Sequence, residues 1–232
     1  MARRRLFLHI GPHKTGTSSF QKSLELNAQA LIAQGVRPLT EAHIKHGTRT
    51  GRERAALHSL ADLFIRPDLP TGMRLRDGVQ PLTDRQKRNR RGRVAARLAA
   101  MTDPAVVLSA ESFCYLRTPQ ERALIQSFLT ETRRAATILL VRRNAEDWRA
   151  SWLSQMRRGT HGPDWASHMQ QEQAERSEWY FDLQALRAFW APLPIVEVDF
   201  DAVPNIVPAL YRAMDVDPSG LLTDLRLNPR RD

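Results

Sequence analysis

A chain of 232 residues is long enough for one substantial hydrophobic core, and no apolar run in it approaches the roughly 18 residues needed to cross a bilayer. Its lone cysteine, Cys114, excludes an internal disulfide framework and suits a reducing, cytoplasmic compartment. A formal net charge of +10 implies anionic partners without choosing among a nucleotide, a sulfated glycan, nucleic acid and a membrane surface.

The basic start, Met1-Ala-Arg-Arg-Arg5, looks like the front of a signal peptide. The apolar run behind it, Leu6 to Ile10, stops at Gly11-Pro-His-Lys14, too early for a secretory hydrophobic region. That run suits a short buried parallel strand instead. A helix is expected next, capped by Ser18 or Ser19 and reaching about Gln34. Phe20, Leu24, Ala28 and Leu31 recur there at helical spacing, and Gly35 sits where a C′ glycine belongs. Val36 opens a weak second strand. From Arg37 to about Gly78 the pattern gives only a helical patch near Arg54 to Phe64.

Arg85 to Ala100 reads as a very basic helix, and Ala105 to Ser109 as the clearest strand after the first. Thr118-Pro-Gln-Glu121 is a capping box with proline at N1, opening a helix to about Arg134. Thr137 to Val141 is the next strand, followed by a helix from about Asn144 to Arg158 that Gly159 ends. A helix from about Ser177 to Trp190, a strand at Ile195 to Val198 and a helix near Ile206 to Met214 complete the set. No repeat or low-complexity linker intervenes, so a single domain over residues 1–232 is expected. Strands alternating with helices predict an α/β fold: a P-loop-like three-layer α/β/α sandwich with a central parallel sheet. Such sheets bind ligands at the carboxyl ends of their strands.

Between the first strand and the first helix lies Gly11-Pro-His-Lys-Thr-Gly16-Thr17-Ser18. A glycine-bearing loop in that setting wraps phosphate oxygens with backbone N–H groups at a helix N-terminus. Every position of the ATP-binding pattern G-x-x-x-x-G-K-[ST] fits except the lysine, which is Thr17 here, while a lysine stands three residues earlier at Lys14. A sulfuryl group carries less charge than a phosphoryl group and needs less metal assistance. Lysine plus helix-end amides suffice in principle to stabilise a leaving bridging oxygen.

His9-Ile-Gly-Pro-His-Lys-Thr-Gly-Thr-Ser-Ser19 resembles the 5′-phosphosulfate loop of sulfotransferases that use 3′-phosphoadenosine 5′-phosphosulfate (PAPS), bacterial relatives of the carbohydrate sulfotransferases in particular. Ile138-Leu-Leu-Val-Arg-Arg143-Asn-Ala-Glu-Asp-Trp-Arg-Ala-Ser151 is similar to the same family's 3′-phosphate signature, an arginine ending a strand and a serine in the following helix. Arg143 fits best, although Ala145 replaces the usual proline; Arg142 is the alternative. An arginine fork and a hydroxyl both donate to a terminal phosphate, which PAPS has and ATP lacks. Arg143 also suits a salt bridge at the helix start with Glu146 or Asp147.

The resemblance implies that Lys14 stabilises the leaving phosphate, that His13 and Thr15, Gly16, Thr17 and Ser18 line the 5′-phosphosulfate site, and that Arg143 and Ser151 hold the 3′ phosphate. It also implies transfer to a hydroxyl, or an amine, of a small-molecule or glycan acceptor. Glu111, in Val106-Val-Leu-Ser-Ala-Glu111, is the candidate base for the acceptor's proton. A structural glutamate or a partner for Lys14 is the plainer reading, and His58 is the alternative base. No metal is expected. Two rival functions remain: an ATP-dependent kinase, which wants a lysine at position 17, and a noncatalytic nucleotide- or polyanion-binding protein.

Other signals are weaker. The cationic run Arg85 to Arg93 reads as a solvated helix face, since no aromatic residues interleave to stack bases, and nucleic acid is not the expected partner. Trp148 and Trp152, one turn apart, are expected to face the core, and Trp179, Tyr180, Phe189 and Trp190 to pack the penultimate helix.

Overall fold

A computed structural model describes residues 3–44, 54–69, 71, 74, 82–157 and 179–225. Its five strands are β1 Arg5–His9, β2 Val36–Pro38, β3 Ala105–Ser109, β4 Ala135–Arg142 and β5 Ile195–Asp199, in the sheet order β2-β3-β1-β4-β5. All four pairings are parallel.

Two-residue periodicity sends alternate side chains to opposite faces of a strand. Leu6, Leu8, Val106, Leu108, Ile138 and Leu140 therefore enter one buried cluster, and Phe7, Ala105, Val107, Leu139 and Val141 the other. Two short helices, α3 (Glu41–Ile44) and α4 (His58–Ala61), follow β2. The first cluster is covered by α5 (Asp84–Ala100), α6 (Pro119–Glu131), α7 (Ala145–Arg157) and α8 (Leu183–Trp190). They supply Val94, Leu98, Ile125, Phe128, Trp148, Trp152 and Leu186. The second is covered by α1 (Thr17–Leu26) and α9 (Ile206–Arg212), through Phe20, Leu24, Val207 and Leu210. A parallel sheet buried on both faces between two helical layers is the three-layer α/β/α sandwich that the apolar runs predict.

The strand order also sets where a ligand goes. From β1 the chain steps outward to β2, returns to β3 beside β1, then crosses to β4 on β1's other side. The crossovers diverge at the carboxyl end of β1, and there an open α/β sheet has its crevice.

Local chemistry accounts for most boundaries. The Thr118 side chain accepts from Glu121 N and Glu121 reaches back to Thr118 N, with Pro119 in the first turn, as the capping box predicts. Asn144 Oδ1 accepts from the amides of Glu146 and Asp147 and starts α7. Trp148 and Trp152 are each 1% exposed and do face the core.

Three boundaries differ from expectation. The cap of α1 is Gly16, not Ser18 or Ser19, and it supplies no side-chain bond. The single helix expected to Gln34 breaks at Asn27, where α2 (Ala28–Ala33) begins. The Asn27 amide bonds Ser23 O at 2.9 Å and Leu222 O at 3.0 Å, and its Oδ1 accepts from Leu222 N at 2.9 Å. A side chain that competes with the backbone in this way trades helix continuity for an anchor on the C-terminal segment. The penultimate helix is interrupted at Asp182: residues 179–181 are helical, and α8 starts afresh at Leu183 because Asp182 Oδ1 takes Ala185 N at 2.8 Å. Residues 177 and 178, where its start was expected, lie outside the described residues.

Candidate anion loop and acid–base cluster

The loop from Ile10 to Gly16 leaves β1 at the crevice and turns into α1. Two of its residues are left-handed, Lys14 at φ 69° and Gly16 at φ 76°. Left-handed backbone between right-handed neighbours aims successive N–H groups into one concavity suited to an anion. A glycine is needed at position 16 on two counts, since a Cβ there would also stand 2.5 Å from Ile206 Cγ2. At Gly11 the reason is space alone, because a Cβ would lie 2.6 Å from His9 Nε2.

The threonines of the loop are turned inward. Thr15 Oγ1 donates to Pro12 O at 2.6 Å and Thr17 Oγ1 to the same oxygen at 3.4 Å; both residues are buried. Their hydroxyls brace the loop, so an anion meets their backbone N–H groups. Ser18 is exposed in the first turn of α1. With no side-chain cap at Gly16, the first-turn amides of α1 present their positive end outward.

Beneath the loop His9 is wholly buried, its Nδ1 2.8 Å from Ser109 Oγ and its ring edge-on to Phe20. Gln21 Nε2 donates to the same Ser109 oxygen at 3.3 Å. Desolvation lowers the His9 pKa to about 3 and keeps the ring neutral.

Arg143, first residue after β4, reaches across to the loop. Its Nη1 donates to the Lys14 carbonyl at 2.8 Å, Nε lies 3.8 Å from Asp201 Oδ1, and the guanidinium stacks 5.0 Å from the Phe200 ring centroid. The side chain is 6% exposed, whereas the Arg142 side chain is 49% exposed and paired with Asp199 at 2.7 Å. A non-glycine residue in left-handed backbone costs roughly 1–2 kcal/mol, and the Arg143 bond helps hold Lys14 there. Ser151 lies half-buried on α7.

Glu111 opens a 3₁₀ turn, Glu111–Tyr115, after β3. Its Oε1 stands 3.4 Å from His13 Nε2 and 3.9 Å from His58 Nε2. Each imidazole meets a hydroxyl on its other side: His13 Nδ1 lies 2.7 Å from Tyr180 OH, and His58 Nδ1 lies 2.9 Å from Ser112 Oγ. The His13 ring also packs edge-on to Trp152 at 5.0 Å and against Tyr115 at 5.4 Å. The guanidinium groups of Arg66 and Arg117 lie 5.2 and 5.4 Å from the Trp179 ring centroid, and Trp179 packs edge-on to Tyr180 at 5.9 Å.

The fold thus brings Lys14 and Arg143 together, and separately gathers Glu111, His13 and His58. The sequence pattern missed Tyr180, Phe200, Asp201 and Ser112. Tyr180 carried a signal only as one aromatic among several, and its bond to His13 spans 167 positions. Among the described residues no group of three or more His, Cys, Asp and Glu stands where it could hold a metal ion, and no helix is long and apolar enough to cross a membrane.

No protein-family model and no curated protein matches this chain. Among solved structures its fold is similar to that of a sulfotransferase from Alicyclobacillus acidocaldarius, with a TM-score of 0.50 over 99% of this chain and 88% of that one. The two share 16% identity, so the likeness is one of fold.

Proposed function

We propose that the chain is a cytoplasmic sulfotransferase, acting as one domain over residues 1–232, that moves a sulfuryl group from PAPS to a hydroxyl or amine of a small-molecule or glycan acceptor. The observation that carries this reading is the 2.8 Å bond from Arg143 Nη1 to the Lys14 carbonyl. It sets the two segments that resemble donor signatures side by side at the crevice, as the two ends of one small nucleotide require.

The residues suit such a donor. The loop offers a concavity of backbone N–H groups, a lysine and an uncapped helix start, all favourable to a 5′ phosphosulfate. The pairing of Arg142 with Asp199 favours Arg143, with Ser151, as the 3′-phosphate anchor. When bound, the donor supplies an activated sulfuryl group. Lys14 Nζ and the loop amides then stabilise negative charge on the oxygen that leaves, within a preorganised site. Glu111 receives the acceptor's proton as its oxygen attacks in line. Thr17 in place of the ATP-type lysine speaks against a kinase.

Calorimetry decides the donor. Adenosine 3′,5′-bisphosphate should bind more tightly than Mg²⁺-ATP, and the order should reverse for a kinase. Donor binding without sulfate transfer across a broad acceptor panel would instead mark a noncatalytic binding protein.

A further inference from the structure

Around Glu111 the hydrogen-bond donors run in one direction. Burial pushes the Cys114 thiol up to about 12, so the sulfur keeps its proton and faces the Tyr180 hydroxyl oxygen at 3.8 Å. Burial also holds the Tyr180 phenol well above its ordinary range, so this hydroxyl keeps its proton too, and the close partner for it is His13 Nδ1 at 2.7 Å. A neutral imidazole that accepts at Nδ1 carries its hydrogen on Nε2. Nε2 is the atom that faces Glu111 Oε1 at 3.4 Å.

The second histidine approaches the same oxygen on different terms. His58 Nε2 is farther away, at 3.9 Å, and its Nδ1 partner is the Ser112 hydroxyl, which accepts as readily as it donates. His58 is therefore able to carry its hydrogen on Nδ1 and turn a bare Nε2 to the carboxylate. It is also the most exposed of the three side chains, 36% against 20% for Glu111 and 15% for His13. Among the described residues, Tyr115 and Arg117 are further ionisable groups that act on Cys114 or Tyr180, and Asp182 acts on Arg117.

We propose that these residues form a directed proton path: Tyr180 fixes His13 as the Nε2–H tautomer, His13 holds Glu111 in place, and His58 takes the acceptor's proton from Glu111 and releases it to water. The path rests on the sulfotransferase reading above. The acceptor's O–H bond breaks as its oxygen bonds to sulfur, the departing phosphate keeps the electron pair of the broken S–O bond, and the proton passes to the Glu111 carboxylate. From there it moves to His58 Nε2, and the imidazolium gives one proton to water. No oxidant, reductant or further reactant is needed. Tyr180 and His13 are positioning residues, and the two histidines differ in role because their Nδ1 partners differ.

Full-length protein labelled with ¹⁵N-histidine tests the path. Long-range ¹H–¹⁵N correlation at neutral pH should show His13 protonated on Nε2, becoming a mixture of tautomers in Tyr180→Phe. That variant removes the hydroxyl while keeping the ring beside Trp148 and Trp152. His58→Asn should lower kcat for sulfate transfer roughly 100-fold, with partial rescue by added imidazole and unchanged affinity for adenosine 3′,5′-bisphosphate. A His13 ring protonated on Nδ1 in the unsubstituted protein, or one indifferent to Tyr180→Phe, overturns the tautomer assignment. A His58→Asn enzyme within about twofold of the original kcat, or one that imidazole does not help, overturns the exit route. Failure of the unsubstituted chain to bind adenosine 3′,5′-bisphosphate would sink the donor reading instead, and the tautomer measurement would still decide the donor chain.

Discussion

The loop at the end of β1 and the cluster around Glu111 meet at His13, yet they are built in opposite ways. The loop braces itself over short distances in sequence: Thr15 and Thr17 both donate to Pro12, and Gly16 starts the helix that follows. Long-range bonds from Arg143 to Lys14 and between His13 and Tyr180 tie it to the rest of the fold. The cluster has almost no local component. His13, His58, Glu111 and Tyr180 come from four separate segments and meet only when the sheet and its covering helices have formed. The proposed anion site therefore belongs to a short peptide given a strand and a helix, whereas the proposed proton path belongs to the whole fold.

The sharpest way to separate the two is at Lys14, whose ammonium and backbone do different work. Lys14→Ala should lower sulfate transfer by about 10²–10³-fold or more, because the charge at the leaving oxygen is lost, while the fold persists by circular dichroism. Lys14→Gly should lose the same activity and yet be more stable, by about 1 kcal/mol in denaturant titration, since glycine adopts φ 69° without penalty. Near-normal turnover in either variant would refute the role given to this lysine.

What the amino-acid sequence reveals follows the same division. The strands Leu6 to Ile10, Ala105 to Ser109 and Thr137 to Val141 are plain because apolar runs of that length fit only a buried sheet, and Thr118-Pro119 announces its helix by capping chemistry alone. The glycine-bearing loop is legible because the donor-binding role proposed for it needs a fixed order of neighbours. Tyr180 is not, because a tyrosine that orients an imidazole has the same local context as one that fills a core. The N-cap at Gly16 was misread for a related reason: serine is the usual cap, but here the left-handed turn, not a side chain, starts the helix. The break at Asn27 depends on Leu222, 195 positions away.

His9 lies under both regions, beside Gly11 of the loop and bonded to Ser109 two residues before Glu111. Its pKa falls from 6.5 to about 3 on burial, so between those values the unfolded chain binds a proton that the folded chain does not. Stability is then fully present above pH 6.5 and is lost as pH falls, by about 1.4 kcal/mol per unit down to the folded pKa. Urea unfolding should therefore show a drop from pH 6.5 to pH 4.5 that is smaller in His9→Gln by about 2–3 kcal/mol. If the loop and the cluster share this footing, acid should weaken donor binding and shift the His13 resonances over the same range. An equal drop in both proteins would assign the acid sensitivity to other groups.

The smallest effects isolate backbone from packing. Gly16 and Gly220 have nearly the same φ, 76° and 78°, but a Cβ at Gly16 would meet Ile206 Cγ2 at 2.5 Å while one at Gly220 would meet nothing within 4 Å. Gly220→Ala should cost only the left-handed penalty, about 1 kcal/mol, and leave transfer intact. Gly16→Ala carries the same penalty plus displacement of α9 or of the loop, about 2 kcal/mol or more in all, and should weaken binding of adenosine 3′,5′-bisphosphate as well. The difference between the two alanine variants is the packing contribution of the loop against α9. Were they to cost the same and bind alike, the loop would have to tolerate movement at its helix end, and the anion site would owe its shape to the Arg143 bond rather than to the close approach of Gly16 and Ile206.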